Sequence, residues 1–316
     1  MKRSLTAFLL FICLQMLPTQ IHAQSCTFST SNMIFSGNPL SGAAINGTTS
    51  LTANCSAALG LFRRVLICPN LNAGTGGATS AARLMTGPIA LNYQLYQDPA
   101  RQTVWGSWMW AFPARPPQFF VDIPALLGSG STTVTIYGQI FPNQATAPVG
   151  SYSSNFSGAQ TTFRYRFDDG AGCASLAGAS GTTNFTVGLQ TVKDCLVSAQ
   201  NIDFGNQGVL SANLDLNGQV SINCSPNTPY AVALGPGSAN AGPSARRMTK
   251  GAEFITYGLY RDAARALPWG DTSGVNTLGG TGTGVTNNLP VYARIPPQIT
   301  PTPGLYSDTI VVTVTY

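Results

Sequence analysis

Side-chain chemistry needs a base, a nucleophile or a set of metal ligands at a defined spacing, and this sequence is poor in all of them. It has one histidine, His22, and one glutamate, Glu253. The Asp-x-x-Arg pairs Asp98/Arg101 and Asp262/Arg265 have no second carboxylate or imidazole at a recognisable spacing, so they read as structural ion pairs or turns. Asp168-Asp169 beside Gly170 lacks the ligand pattern of a calcium loop. The Gly-rich run from Gly279 to Gly284 lacks the lysine of a phosphate loop. What the chain does have is cysteine: Cys13, Cys26, Cys55, Cys68, Cys173, Cys195 and Cys224.

The N-terminus decides how those cysteines are read. Lys2 and Arg3 precede an apolar run from Leu5 to Leu17, Pro18 breaks it, and Ile21-His22-Ala23 offers a small-residue cleavage site. The pattern predicts a secretory signal peptide over residues 1–23. Cleavage removes His22 and Cys13 and leaves six cysteines, which in an oxidising compartment predicts three disulfides. With no histidine left, neither a Ser-His-Asp nor a Cys-His centre can be assembled, so no catalytic residue, metal or cofactor is expected. Net charge falls from +5 (16 basic against 11 acidic residues) to +3 without Lys2 and Arg3. Basic residues cluster no further than Arg63-Arg64 and Arg246-Arg247, which offers no footprint for nucleic acid. Charged residues make up only 9% of the chain, against roughly 25% in an ordinary soluble domain. Gly, Ser, Thr and Asn take their place, as suits an extracellular all-β protein.

The elements that position these residues come from an internal repeat. "YQLYQDPARQTVWG", from Tyr93 to Gly106, matches "YGLYRDAARALPWG", from Tyr257 to Gly270. Arg83 and Gly87 stand at the same offset from Arg247 and Gly251. Cys26 and Cys55 are 29 apart, as are Cys195 and Cys224, and Gly150-Ser151-Tyr152 matches Gly304-Leu305-Tyr306. One domain design therefore occurs twice, over 24–175 and 185–316, with a small, polar linker at 176–184. "TTVTIYGQI" alternates Val134 and Ile136 against Thr133, Thr135 and Tyr137, and "TIVVTVTY" puts Ile310, Val312, Val314 and Tyr316 on one face. Short alternating runs split by Gly, Pro and Asn predict two tandem antiparallel β-sandwiches. The matched cysteines pair within each copy, Cys26 with Cys55 and Cys195 with Cys224, which leaves Cys68 for Cys173.

The paired cysteine frame, the Y-x-L-Y-x-D-x-A-R motif and the terminal "GLYSDTIVVTVTY" resemble the spore coat protein U domain family, which includes subunits of archaic (Csu-type) chaperone–usher pili. The likeness covers nearly the whole chain beyond residue 23 and is strongest from Cys195 to Tyr316. A two-domain chain resembles the tip adhesin of such a pilus. The resemblance implies Ig-like sandwiches, the C-terminal one lacking its last strand and completed from outside. A periplasmic pilus chaperone would lend a strand first, and the next pilus subunit's N-terminal extension would replace it. It also implies an outer-membrane usher and export through the periplasm to the cell surface at the pilus tip. The implied task is attachment to abiotic or host surfaces and biofilm formation. The expected acceptor edge is Ile310, Val312, Val314 and Tyr316, directly before the end of the chain. Only Gln24 and Ser25 stand between the cleavage site and Cys26, so no donor strand is expected there. "NFTVGLQTVKD", before Cys195, alternates Phe185, Val187 and Leu189 and looks like a donor extension. Two placements are open for it, completing the first domain in cis or starting the second. "TTFRYRF", with Phe163, Tyr165 and Phe167, competes for a place in the first domain.

One stretch differs between the copies. "VWGSWMWAFPARPPQFF", from Val104 to Phe120, holds three of the four tryptophans. Trp105 matches Trp269 and is expected in the core. Trp108, Met109, Trp110, Phe112, Pro113, Phe119 and Phe120 have no counterpart, because the second copy fills its loop with Gly and Thr. Prolines 113, 116 and 117 oppose a central strand. Two readings follow. The stretch is a surface-binding loop, like the hydrophobic fingers that the tip-adhesin resemblance implies, or its rings cover Cys68–Cys173 or pack under the linker. Leu59-Gly60-Leu61-Phe62 and Phe141-Pro142 to Pro148-Val149 are further candidate loops. The rival to an adhesive tip is a structural pilus or coat subunit with no binding role of its own.

Overall fold

The computed structural model describes residues 24–316, and the signal peptide expected over 1–23 lies outside the described residues. The described residues form twenty strands and two single 3-10 turns, with no α-helix. The first repeat comprises β1 (Ser25–Thr30), β2 (Met33–Phe35), β3 (Ile45–Ser56), β4 (Arg63–Pro69), β5 (Arg83–Met85), β6 (Leu91–Tyr96), β7 (Phe119–Ile123), β8 (Ser129–Ile140), β9 (Gly150–Phe156), β10 (Phe163–Phe167), β11 (Ala179–Gly181) and β12 (Phe185–Thr191). The second comprises β13 (Cys195–Ala199), β14 (Leu214–Cys224), β15 (Pro229–Leu234), β16 (Arg246–Lys250), β17 (Glu253–Tyr260), β18 (Leu278–Thr281), β19 (Asn287–Ile295) and β20 (Val312–Thr315).

Alternation sets the layers. In β8, Ile136 and Ile140 are buried while Thr133 and Thr135 face water, as a period of two requires. The first repeat pairs its strands in the orders β1-β3-β8-β6-β5, β11-β10-β4-β7 and β2-β12-β9. Its main core lies between the first group (Leu51, Tyr93, Leu95, Ile136) and the other two (Met33, Tyr152, Phe156, Phe163). The second repeat keeps the larger sheet as β13-β14-β19-β17-β16, opposed by β18-β15-β20. Cys26–Cys55 joins directly opposed residues of β1 and β3, and Cys195–Cys224 does the same for β13 and β14. Cys68–Cys173 ties β4 to the loop after β10.

A buried arginine braces each sandwich. Arg83 is fully buried and donates to the carbonyls of Asn72 (2.8 Å), Leu71 (2.7 Å) and Trp105 (2.7 Å) and to the Gln94 amide oxygen. Arg246 does the same with Gly235 (2.9 Å), Leu234 (2.8 Å) and Trp269 (2.8 Å). The structural partner of Arg83 is thus Arg246, not Arg247. Arg83 opposes Tyr93 and Arg246 opposes Tyr257, so the repeat slips by one residue ahead of the Tyr. Arg247 points outward and stacks on Phe254 at 4.2 Å. Burial lowers the Arg83 guanidinium to about 10, so it stays charged at neutral pH and needs every one of those acceptors.

The segments around 176–191 find places that the sequence left open. β10 runs between β11 and β4, so residues 179–181 are a paired strand inside the expected linker. β12 lies between β2, to which it is parallel, and β9, to which it is antiparallel. Phe185, Val187 and Leu189 join the first core, and Phe185 stacks on Phe156 at 4.6 Å. The two segments do not compete, because they occupy different slots. The expected boundary at 184/185 therefore falls before, not after, the strand that finishes the first sandwich. Replacing Leu189 by Ala should destabilise the first repeat by about 2–5 kcal/mol. Urea unfolding of the full chain checks this, with fluorescence weighted to Trp105, Trp108 and Trp110. A shift confined to the second repeat's transition would contradict the placement of β12.

Candidate functional site: an unfilled strand slot and an apolar pole

The repeat lets one sandwich serve as the control for the other. Tyr152 donates to the Pro148 carbonyl and Tyr306 to the Thr302 carbonyl, both at 2.7 Å. Ser153 exchanges backbone hydrogen bonds with Thr86, and Ser307 does so with Thr249. Residues 304–310 therefore hold the place of β9. Counting seven and nine residues on from the first cysteine of each copy puts Ile202 and Phe204 where Met33 and Phe35 stand. In the first repeat β12 fills the space between these edges. In the second, the described residues supply no strand there. An open cleft of about 270 Å³ remains, lined by Ile202, Phe204, Val220, Leu259, Ile310 and Val312.

The floor of the cleft carries one polar pair. The Tyr257 hydroxyl donates to Asp308 Oδ2 at 2.7 Å, and the Ser238 N–H donates to Oδ1 at 2.7 Å. Burial, together with the Asp308 carboxylate, pushes the Tyr257 hydroxyl far up. In the first repeat the matching pair is Tyr93 and Ser154, both fully buried, and burial raises the Tyr93 hydroxyl to about 12.

The expected acceptor residues divide. Ile310 and Val312 line the cleft. Val314 packs on the second core from β20, which pairs with β15, and Tyr316 is about half exposed. Tyr306 was matched to Tyr152 in the sequence but not placed at the slot, and Ile202, Phe204 and Asp308 went unrecognised, although the cysteine offset and the Gly-x-Tyr match pointed to them.

The aromatic stretch finds internal partners. Trp108 packs with Phe120 and Leu66 on Cys68–Cys173, its ring lies under the Arg115 guanidinium at 4.8 Å, and its backbone N–H donates to Asn70 Oδ1 at 2.8 Å. Trp110 lies 4.6 Å from the guanidinium carbon of Arg83, donates its indole N–H to the Ala114 carbonyl at 2.8 Å, and meets Phe112 edge-on at 5.3 Å. A buried cation without a carboxylate partner draws an aromatic face. Phe119 and Phe120 belong to strand β7, paired with β4, rather than to a loop. Met109 and Pro113 are the exposed members of the set.

Large exposed apolar side chains collect elsewhere. The loops 57–62 and 124–128 leave the same end of the sandwich, where Ser56 pairs with Ser129 and Arg63 with Ile123. They are clasped by Ala57 N–H to Gly128 O (2.9 Å) and Gly60 N–H to Ala125 O (3.0 Å). Leu59, Leu61, Phe62, Leu126 and Leu127 are 57–91% exposed there. The candidate loop 141–149 follows Ile140, which pairs with Ile45 at the opposite end of the same strands.

The Spore Coat Protein U domain matches residues 13–157 and 181–313. The chain belongs to this family. Protein U of Myxococcus xanthus is 32% identical over 106 residues, which is 31% of this chain and 59% of that relative, so the match spans somewhat more than half of the relative's length. In fold the chain is similar to a chaperone–tip adhesion subunit pre-assembly complex from the archaic chaperone–usher Csu pili of Acinetobacter baumannii. The TM-score is 0.54 at 16% identity, over 93% of this chain and 100% of that one.

Both Spore Coat Protein U domains build their Tyr-x-Asp-x-Ala-Arg turn alike. The Asp98 carboxylate accepts the N–H groups of Gln102 (3.2 Å) and Thr103 (2.7 Å), and Asp262 accepts those of Ala266 (3.1 Å) and Leu267 (2.7 Å). Arg101 and Arg265 take left-handed backbone (φ 56° and 57°) and donate to the sheet carbonyls of Gly138 and Ala293. The recurring Asp-x-x-Arg is thus a capped turn and not an ion pair. Backbone hydrogen bonds hold both carboxyls below the ordinary range. Folded values below unfolded ones add stability that is complete above about pH 4 and is lost as pH falls through the folded midpoints. NMR titration should place the Asp98 and Asp262 midpoints below ordinary carboxylates, and Asn at both positions should flatten the acid limb of the stability profile. Ordinary midpoints would contradict this turn chemistry.

Proposed function

We propose that this chain is an exported, non-enzymatic tip subunit of a chaperone–usher pilus that fixes cells to surfaces and supports biofilm formation. The observation that carries the reading is the unfilled slot of the second domain. Its counterpart in the first domain is occupied by an alternating apolar strand of the same chain. A slot of this shape, left unpaired, exposes both backbone hydrogen-bonding groups and apolar floor, and calls for an added strand. A periplasmic chaperone supplies one during export, and the next subunit replaces it at the outer-membrane usher. The first domain takes its strand from within the chain and is free to face outward.

We place attachment at the pole formed by loops 57–62 and 124–128, not on Trp108, Trp110 and Phe112, whose rings have internal partners. Contiguous exposed apolar surface marks a contact site. Removing each side chain from water contributes roughly 1.5–3 kcal/mol, and many pili acting together multiply weak contacts. The target is then a nonpolar surface, abiotic or host, without recognition of one ligand.

Serine at Leu59, Leu126 and Leu127 together should remove most retention of the full chain on hydrophobic plastic and leave its melting temperature unchanged. Trp110→Ala should instead lower the melting temperature, because it uncovers Arg83. Full retention by the triple serine variant would move the attachment site away from this pole.

A further inference from the structure

The two strand slots differ at one place. In the first domain, Val187 of β12 directly opposes Ser154 of β9, and both are fully buried. Directly opposed residues of an antiparallel pair share a face, so the methyls of Val187 lie on the side of a small neutral hydroxyl. The Thr86–Ser153 and Thr249–Ser307 bridges put Asp308 at the position of Ser154. Asp308 lines the cleft. Its carboxylate is held in place by Tyr257 on Oδ2 (2.7 Å) and by the Ser238 and Thr309 N–H groups on Oδ1 (2.7 and 2.8 Å). The loop wraps it closely: a Cβ on Gly237 would stand 2.2 Å from Oδ2.

A strand entering this slot buries that carboxylate. An apolar residue opposite it would remove water from a charged group without replacing the lost hydrogen bonds, which is costly. A side chain that donates a hydrogen bond would replace them. We infer that Asp308 makes the second slot select an incoming strand that is apolar at alternate positions and carries a hydrogen-bond-donating side chain, such as threonine, opposite Asp308. The same residue disfavours strands like the chain's own β12. The inference rests on the strand-acceptor reading above and adds to it a partner preference. It also separates self from partner: the slot closed in cis is dry and neutral, and the slot left for another chain is marked by a charge.

The rival role for Asp308 is that of counter-charge to the buried Arg246, which it stabilises from nearby. That role would appear in stability and not in the choice of strand. Two labelled peptides separate the possibilities. One carries residues 184–191, NFTVGLQT, and the other is the same with Val187→Thr. Valine and threonine match in shape, so the pair isolates the hydroxyl. Binding is measured by fluorescence anisotropy to the chain 24–316, whose first slot is filled by its own β12, and to its Asp308→Ser variant. The threonine peptide should bind the unaltered chain about tenfold more tightly than the valine peptide. In Asp308→Ser that gap should close or reverse. An equal gap in both chains, or tighter binding of the valine peptide to the unaltered chain, overturns the role of Asp308 even if the variant is less stable. Binding of neither peptide to a folded chain overturns the strand-acceptor reading itself, and this inference with it.

Discussion

A row of backbone groups left unpaired beside the apolar core of a sandwich is costly and calls for a strand to cover it. That constraint governs both halves of this chain. In the first domain, β12 enters between a parallel and an antiparallel neighbour, so the row is hydrogen-bonded and Phe185, Val187 and Leu189 close the core beneath it. In the second, the matching row from Tyr306 to Ile310 borders a cleft with an apolar floor. Among the described residues, one fold is thus present in a filled and an unfilled state. The sequence that fills the first stands immediately before the first cysteine of the second.

Around this slot the two domains share a rigid frame. A buried arginine collects carbonyls just beyond β4 or at the end of β15 and the tryptophan carbonyl that follows the capped turn. The tryptophan indole returns a hydrogen bond to Pro69 (2.8 Å) or Val232 (2.9 Å). These contacts tie one layer to the other without any help from the slot. The differences lie in what surrounds the arginine's charge. It is the Gln94 amide oxygen and the Trp110 face in the first domain, and the Tyr257–Asp308 pair contributes in the second. The aromatic insert is therefore part of the first domain's brace, and its place in the chain beside Cys68–Cys173 follows from that task.

Much of this was legible in the sequence. The repeat, the β character and two of the disulfide pairs follow from spacing, because a period of two and a fixed cysteine interval survive divergence elsewhere, and the third pair follows by elimination. The Arg83 partner did not, since Arg246 and Arg247 are adjacent and only packing tells which faces inward. Phe185 to Leu189 showed the alternation of a strand, but alternation does not say which sheet a strand joins. For Trp108 and Trp110 the sequence left two readings open, surface fingers or a cover for Cys68–Cys173, because spacing does not show which way a loop ring faces, and it gave no sign of Arg83 as the partner of Trp110. Leu126 and Leu127 drew no notice, as two leucines in a short loop carry no pattern. Their exposure depends on the pairing of β7 with β4, which no local signal reveals.

Amide hydrogen exchange of the full chain tests the central claim most directly. Because Ser153 and Ser307 turn their backbone groups toward Thr86 and Thr249, their neighbours turn toward the slot. Amides of Tyr152, Ser154 and Phe156 should exchange slowly, while those of Tyr306, Asp308 and Ile310 exchange fast and become slow when a strand peptide is added. Equal protection of both sets in the chain alone would mean that the second slot is already closed, and would contradict the reading of this protein as a strand acceptor.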